Sequence, residues 1–213
     1  MNKPRYIAIE GPIGVGKTSL AKMLAEELDA RPVFEVADEN PFLELFYRDP
    51  ERYAFQAQTF FLLSRFKQQQ GLAQLDLFAQ SVVCDYLFAK DRIFAYLNLK
   101  GQELGLYEQI FGLLNARLPV PDLVVFLQAS TDVLMERIGK RAKDYERNLS
   151  RDYLERVVVA YNEFFFYYSS TPLLVVNTSE IDFVHQPDDF ASLVKEIRST
   201  HKGTWHYIPL GSR

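Results

Sequence analysis

The sequence is short of what several protein classes require. A single cysteine, Cys84, stands among 213 residues, so no intrachain disulfide can form. Its place in the apolar run Val82-Val83-Cys84 makes it a buried structural thiol rather than a nucleophile. Excess charge is also missing. The 24 Lys and Arg against 28 Asp and Glu leave a formal net charge of −4, which gives no basic footprint for a nucleic-acid polymer. No uninterrupted apolar stretch is long enough to cross a bilayer. The N-terminal Met1-Asn2-Lys3-Pro4-Arg5 has no signal core. A cytoplasmic protein with neither membrane nor nucleic-acid polymer as partner is expected. Internal repeats, low-complexity tracts and linkers are absent too. With 48% hydrophobic and 24% charged residues the composition is that of a globular chain, and its length suits one domain over residues 1–213.

Five short β-rich runs are present, at Arg5 to Glu10, Pro32 to Val36, Ser81 to Asp85, Asp122 to Leu127 and Leu173 to Val176. Several are continuously apolar, as strands buried on both faces of a parallel sheet are. Between them lie helical patterns, such as Lys17 to Leu28 with Leu20, Leu24 and Leu28 on one stripe. Strands alternating with helices predict an α/β fold. Glu51 to Gly71 and Ser150 to Tyr168 read as long aromatic-rich helices, whose apolar surface suits either core packing or a dimer interface. The tail with Trp205 and Tyr207 is too apolar to stay free and is expected to pack on the domain.

The strongest motif is Gly11-Pro12-Ile13-Gly14-Val15-Gly16-Lys17-Thr18, followed by Ser19, between the first strand and the first helix. Glycines there let backbone N–H groups converge on phosphate oxygens, and the helix directs its positive end at the same anion. Lys17 is expected at the β- and γ-phosphates of a nucleoside triphosphate such as ATP, and Thr18 at Mg²⁺. A magnesium-binding acid is expected at the end of a second apolar strand, where Asp85 stands after Ser81-Val82-Val83-Cys84. A helix N-cap is the structural alternative for Asp85. Asp122 begins its strand and belongs at the opposite edge of the sheet. No Asn-Lys-x-Asp guanine-reading segment occurs. Arg137 and Arg141, four apart on a basic helix, face one way and suit a clamp on a transferring phosphoryl group. Their bland alternative is a solvated helix end favoured by the dipole. The fold expected is a P-loop kinase with a five-stranded parallel sheet flanked by helices in three layers, with a helical lid over about 137–149.

From about Tyr6 to Phe183 the chain resembles the deoxynucleoside kinases that act on deoxyadenosine, deoxyguanosine or deoxycytidine. The carriers are the P-loop, Glu35 with Glu39-Asn40-Pro41-Phe42-Leu43, the segment Leu43 to Pro50, Gln58 with Ser64-Arg65, Asp85 to Arg92, and Arg137 to Tyr153. The resemblance implies that Glu35 takes the proton of the substrate 5′-hydroxyl, that Tyr47 and Glu146 hold the sugar 3′-hydroxyl, and that Gln58 bonds the base. It implies that Arg65 and Asp91 select amino-bearing bases over thymine. The product would be a 5′-monophosphate made in nucleotide salvage, and members are commonly homodimers. Phe183 and the segment Asn177 to Asp182, after the last strand, are expected near the donor base.

Two positions depart from the family pattern. Tyr86 stands where an Arg usually follows the acid, and Lys90 is expected to substitute for that charge near the substrate. Lys143 occupies a donor-binding lid position commonly held by Arg, keeping charge without bidentate geometry. A nucleoside monophosphate kinase similar to thymidylate kinase, with Arg48, Arg52 and Arg65 as candidates for an acceptor phosphate, is the nearest alternative. A catalytically silent nucleotide-binding protein is the third.

Overall fold

The computed structural model describes residues 5–36, 39–73, 81–142, 146, 149–199 and 202–209. Lys143, expected in the lid, lies outside the described residues, as does most of the segment after the lid helix. The chain runs β1 (Tyr6–Glu10), α1 (Lys17–Leu28), β2 (Arg31–Val33), α2 (Leu43–Arg48), α3 (Pro50–Ala73) and β3 (Val82–Cys84). A single 3₁₀ turn (Phe88–Lys90) leads into α4 (Asp91–Asn98), α5 (Gly101–Asn115), β4 (Leu123–Gln128) and α6 (Thr131–Arg141). The chain ends with α7 (Arg151–Phe166), β5 (Leu173–Asn177), α8 (Pro187–Arg198) and β6 (Thr204–Tyr207).

All strands pair in parallel in the order β2-β3-β1-β4-β5-β6. The expected five-stranded sheet is thus corrected to six. The added strand is the apolar tail: Trp205 lies opposite Leu174 and Tyr207 opposite Val176. Its four residues alternate exposed and half-buried, a period that a two-faced edge strand needs, but too short a run to be legible beside its polar neighbours.

Alternation along the central strands divides the core. Ile7 and Ile9 pack on one face with Leu20 and Leu24 of α1, Leu134 of α6 and Leu193 of α8. Ala8 packs on the other with Cys84, Phe126, Tyr161 and Phe165. Burial pushes the Cys84 thiol up, which fits an inert core residue. A third cluster, including Phe46, Leu62, Tyr107 and Phe111, joins α2, α3 and α5. Of the aromatics on α7, Tyr161 and Phe165 are buried, whereas Phe166 and the adjoining Tyr167 are exposed.

Helix starts follow local chemistry. Ser130 and Ser150 accept from Val133 N and Tyr153 N at the heads of α6 and α7. The helix after β3 begins at Asp91 rather than directly beyond Asp85, so Asp85 is free of an N-cap role.

Candidate active site

Strand order reverses at β1, which is flanked by β3 and β4, and a crevice opens there beyond the carboxyl ends of the strands. The P-loop fills that point. Gly16, at φ 104°, turns the chain into α1, and a Cβ on it would meet the Phe183 ring at 2.9 Å. A Cβ on Gly11 would lie 2.5 Å from the Leu127 carbonyl oxygen. Side chains are therefore excluded where the loop crosses β4. The head of α1 has no side-chain cap and no acidic residue in its first turn, which leaves its amides and dipole for an anion. Lys17 Nζ donates to the carbonyls of Gly11 (2.7 Å) and Pro12 (3.0 Å). Burial, and repulsion from Lys90, push its ammonium down to about 8.

The fold brings Thr18 and Asp85 together: Thr18 Oγ1 donates to Asp85 Oδ2 at 2.5 Å. The other Asp85 oxygen accepts from the Glu35 amide at 2.6 Å. Among the described residues no three His, Cys, Asp or Glu side chains form a metal-binding group. A hydroxyl and one carboxylate match the donor set of Mg²⁺ carried in on phosphates, which keeps most of its ligands as water and phosphate oxygen. Asp122, by contrast, accepts from the amides of Arg5 and Tyr6 at the far end of β1.

Beside the P-loop lies a buried chain of alternating charge. The Glu35 carboxylate accepts from Arg65 Nε (2.8 Å) and Nη2, and from Lys90 Nζ (2.8 Å). Arg65 Nη1 pairs with Asp91. These two residues are 5% and 0% exposed, a buried pair and not a surface one. At the other end Lys90 Nζ lies 3.4 Å from Oε1 of Glu10. Desolvation would raise the Glu35 pKa, but the cations of Arg65 and Lys90 outweigh it and hold the carboxyl well below the usual range.

A cavity of about 160 Å³ is lined by Lys17, Thr18, Glu35, Tyr47, Gln58, Arg65, Asp85, Lys90, Arg141 and Glu146, with an aromatic wall that includes Phe61, Tyr153 and Tyr161. Most of the predicted acceptor residues are thus brought together. Tyr86 is not on this wall: it is fully buried in the core, with Lys90 Nζ 5.8 Å from its ring centre. Asp91 stands behind Arg65. Arg141 forms an ion pair with Glu146.

A second cavity, of about 620 Å³, lies across the P-loop between α6 and the segment from Glu180 to Gln186. Gly14, Val15, Gly16 and Ser19 line it with Arg137 and Phe183. Here Arg137 and Arg141 part. Arg137 donates to the carbonyls of Thr178 (2.8 Å), Val15 (3.4 Å) and Ile181 (3.4 Å) and to Thr178 Oγ1 (3.1 Å), whereas Arg141 lines both cavities. Sequence reasoning missed Glu10 and the aromatic wall. A carboxylate closing a strand reads as solvent-facing, but Glu10 is fully buried, with the Leu87 amide of the turn after β3 on one of its oxygens.

A glycine-rich loop at an uncapped helix N-terminus, a hydroxyl–carboxylate pair beside it and a carboxylate, Glu35, lining the smaller cavity define a P-loop phosphotransferase. The model of the family described as "Deoxynucleoside kinase" matches residues 7–201, and the chain belongs to that family, whose members transfer a phosphoryl group to a nucleoside hydroxyl. It is 34% identical over 203 residues to deoxyguanosine kinase of Bacillus subtilis (strain 168), covering 93% of this chain and 98% of that one. It is 37% identical over 196 residues to deoxyadenosine kinase of Dictyostelium discoideum, covering 89% and 78%. Among solved structures, deoxyadenosine kinase from M. mycoides with the products dCMP and dCDP bound superimposes with a TM-score of 0.79 at 26% identity, covering 92% of this chain and all of that one. No described helix is long and apolar enough to cross a membrane.

Proposed function

We propose that the protein transfers the γ-phosphoryl group of ATP, or another nucleoside triphosphate, to the 5′-hydroxyl of a purine deoxynucleoside, with deoxycytidine as an alternative acceptor and thymidine disfavoured. The names of the relatives support purines. The observation that carries the reading is the charge balance of the smaller cavity. Arg65 and Lys90 are matched by Glu35, Asp91 and Glu10, and Arg141 by Glu146. Lys17 belongs to the donor side. An acceptor phosphate would need a further cation, and Arg48 pairs with Glu44 on the surface. An uncharged acceptor suits this wall.

The donor phosphates bind the amides where the P-loop turns into α1, with Lys17 leaving its loop carbonyls for phosphate oxygen. Thr18 and Asp85 would hold Mg²⁺, which supplies charge neutralisation on the phosphates when bound. Glu35, kept ionised by Arg65 and Lys90, accepts a hydrogen bond from the 5′-hydroxyl and takes its proton as the bond to phosphorus forms. In a loose transition state, orientation of the alcohol counts for more than basicity, so a weakly basic carboxylate is adequate. Lys90 supplies the cation that Tyr86 cannot. Tyr47 and Glu146 fit the sugar 3′-hydroxyl, Gln58 the base edge, and Arg65, held from behind by Asp91, the amino-bearing ring. Arg141 bridges both cavities. Arg137 belongs to the donor side, and Phe183 supports Gly16 there.

Exposed Tyr96, Leu113, Val159, Phe166 and Tyr167 on and beside α4, α5 and α7 support a homodimer through that face, and a cytoplasmic salvage role accompanies it. Steady-state assays with ATP and Mg²⁺ on the four deoxynucleosides, their ribo-counterparts and their monophosphates test the reading. Purine deoxynucleosides are expected to lead. A preference for thymidine, or for a monophosphate as acceptor, would overturn it.

A further inference from the structure

The remaining member of the charge chain is Glu10, the last residue of β1, whose side chain is fully buried. Its Oε2 accepts from the Gly11 amide at 2.8 Å, the first amide of the P-loop. Its Oε1 accepts from the Leu87 amide at 3.0 Å and lies 3.4 Å from Lys90 Nζ. One carboxylate thus ties together the head of the phosphate cradle, the backbone that enters the 3₁₀ turn, and the ammonium at the end of that turn. Two amide donors fix its orientation, so the charge cannot swing away.

This fixed charge matters for Lys90. With Glu35 alone as counter-ion, the ammonium would settle into an exclusive contact pair and neutralise a carboxylate that Arg65 already holds. A second carboxylate on the other side divides its pull. We propose that Glu10 is a positioning residue for phosphoryl transfer: it holds the Lys90 ammonium between itself and Glu35, at a set distance from the P-loop. The proposal rests on the roles given above to Glu35 and Lys90.

The test is a double-mutant cycle on the full chain, with ATP, Mg²⁺ and the best deoxynucleoside. Glu10→Gln keeps the size and removes the charge. Expected is a fall in kcat of about tenfold or more, with the KM of donor and acceptor changed less than about twofold. In a Lys90→Met background the same substitution is expected to change kcat less than twofold, because its partner has gone. A role confined to bracing the P-loop would raise the donor KM instead, and that result overturns the proposal. So does an equal kcat loss in both backgrounds, or a Lys90→Met enzyme with normal turnover. Each of these leaves the kinase reading standing, since that reading falls only with the acceptor screen. Should Glu10→Gln fail to fold, Glu10→Asp, whose charge is drawn back by one methylene, enters the same cycle with the same expected dependence on Lys90.

Discussion

At the scale of single residues, charge burial decides how the site responds to pH. Lys17 is half-buried against its own loop carbonyls, and desolvation brings its ammonium down to about 8 from the ordinary 10.5. Below pH 8 both folded and unfolded chains hold the proton, and the cost of burying the charge is constant. Between about 8 and 10.5 the unfolded chain binds more protons than the folded one, so this group makes stability rise with pH, by at most about 1.4 kcal/mol per unit. Lys17→Met should abolish that rise, so the stability difference between the two proteins, from denaturant titrations between pH 7.5 and 10.5, should change with pH, and parallel curves would contradict the assignment. Phosphate binding reverses the balance, since an anion beside the ammonium raises its pKa. kcat/KM for the donor is therefore expected to fall above pH 8, while kcat at saturating donor holds to higher pH. Identical limbs in the two profiles would refute the assignment. Glu35 behaves oppositely. Held ionised by Arg65 and Lys90, it contributes no limb to kcat near neutrality.

Among the elements, legibility tracked how far each signal was local. The P-loop was readable because glycine, lysine and threonine at fixed spacing have one strong use, and β1, β3, β4 and β5 because full burial demands continuous apolar runs. Arg137 and Arg141 share a helix face by spacing, yet α6 packs so that Arg137 spends its guanidinium on the carbonyls around Thr178 and Val15. No one-dimensional pattern shows which neighbour a helix face will meet. Likewise Glu10, Arg65 and Asp91 are polar in sequence and buried in the fold, Glu10 against the Leu87 amide and Lys90, and Arg65 between the Phe61 ring and Asp91. The sixth strand needed β5 as its template. Trp205 and Tyr207 join the core cluster beside Leu174 and Val176, so β6 is a structural element and not a flap. Neither residue lines the two cavities at the P-loop. The double substitution Trp205→Ala/Tyr207→Ala should cost about 3 kcal/mol of half-buried aromatic surface and lower Tm by roughly 6–12 °C, with turnover at 25 °C kept. An unchanged melting curve, or lost turnover in a folded variant, would contradict this.

Across the whole molecule, the two cavities lie on opposite sides of the P-loop and share Gly14 and Arg141 as lining residues. That arrangement lets one molecule occupy both, with its phosphates passing over the amides at the head of α1. A deoxyadenosine and an adenosine joined 5′ to 5′ through an oligophosphate have the required parts. Because the two nucleoside ends are tethered, the second docks at high effective concentration, and affinity should exceed that of ATP or deoxyadenosine alone. At a concentration a hundredfold above its Kd, such a ligand adds about 2.7 kcal/mol to stability, or roughly 5–11 °C in Tm for a chain of this size. Measured at equal concentration, the tethered compound should raise Tm beyond the larger of the two single-ligand shifts. Substituting Arg141, which borders both cavities, should reduce that excess more than substituting Arg137, which lines the donor side alone. A tethered ligand that stabilises no more than ATP would show that the two cavities are not occupied together and would separate the donor and acceptor assignments.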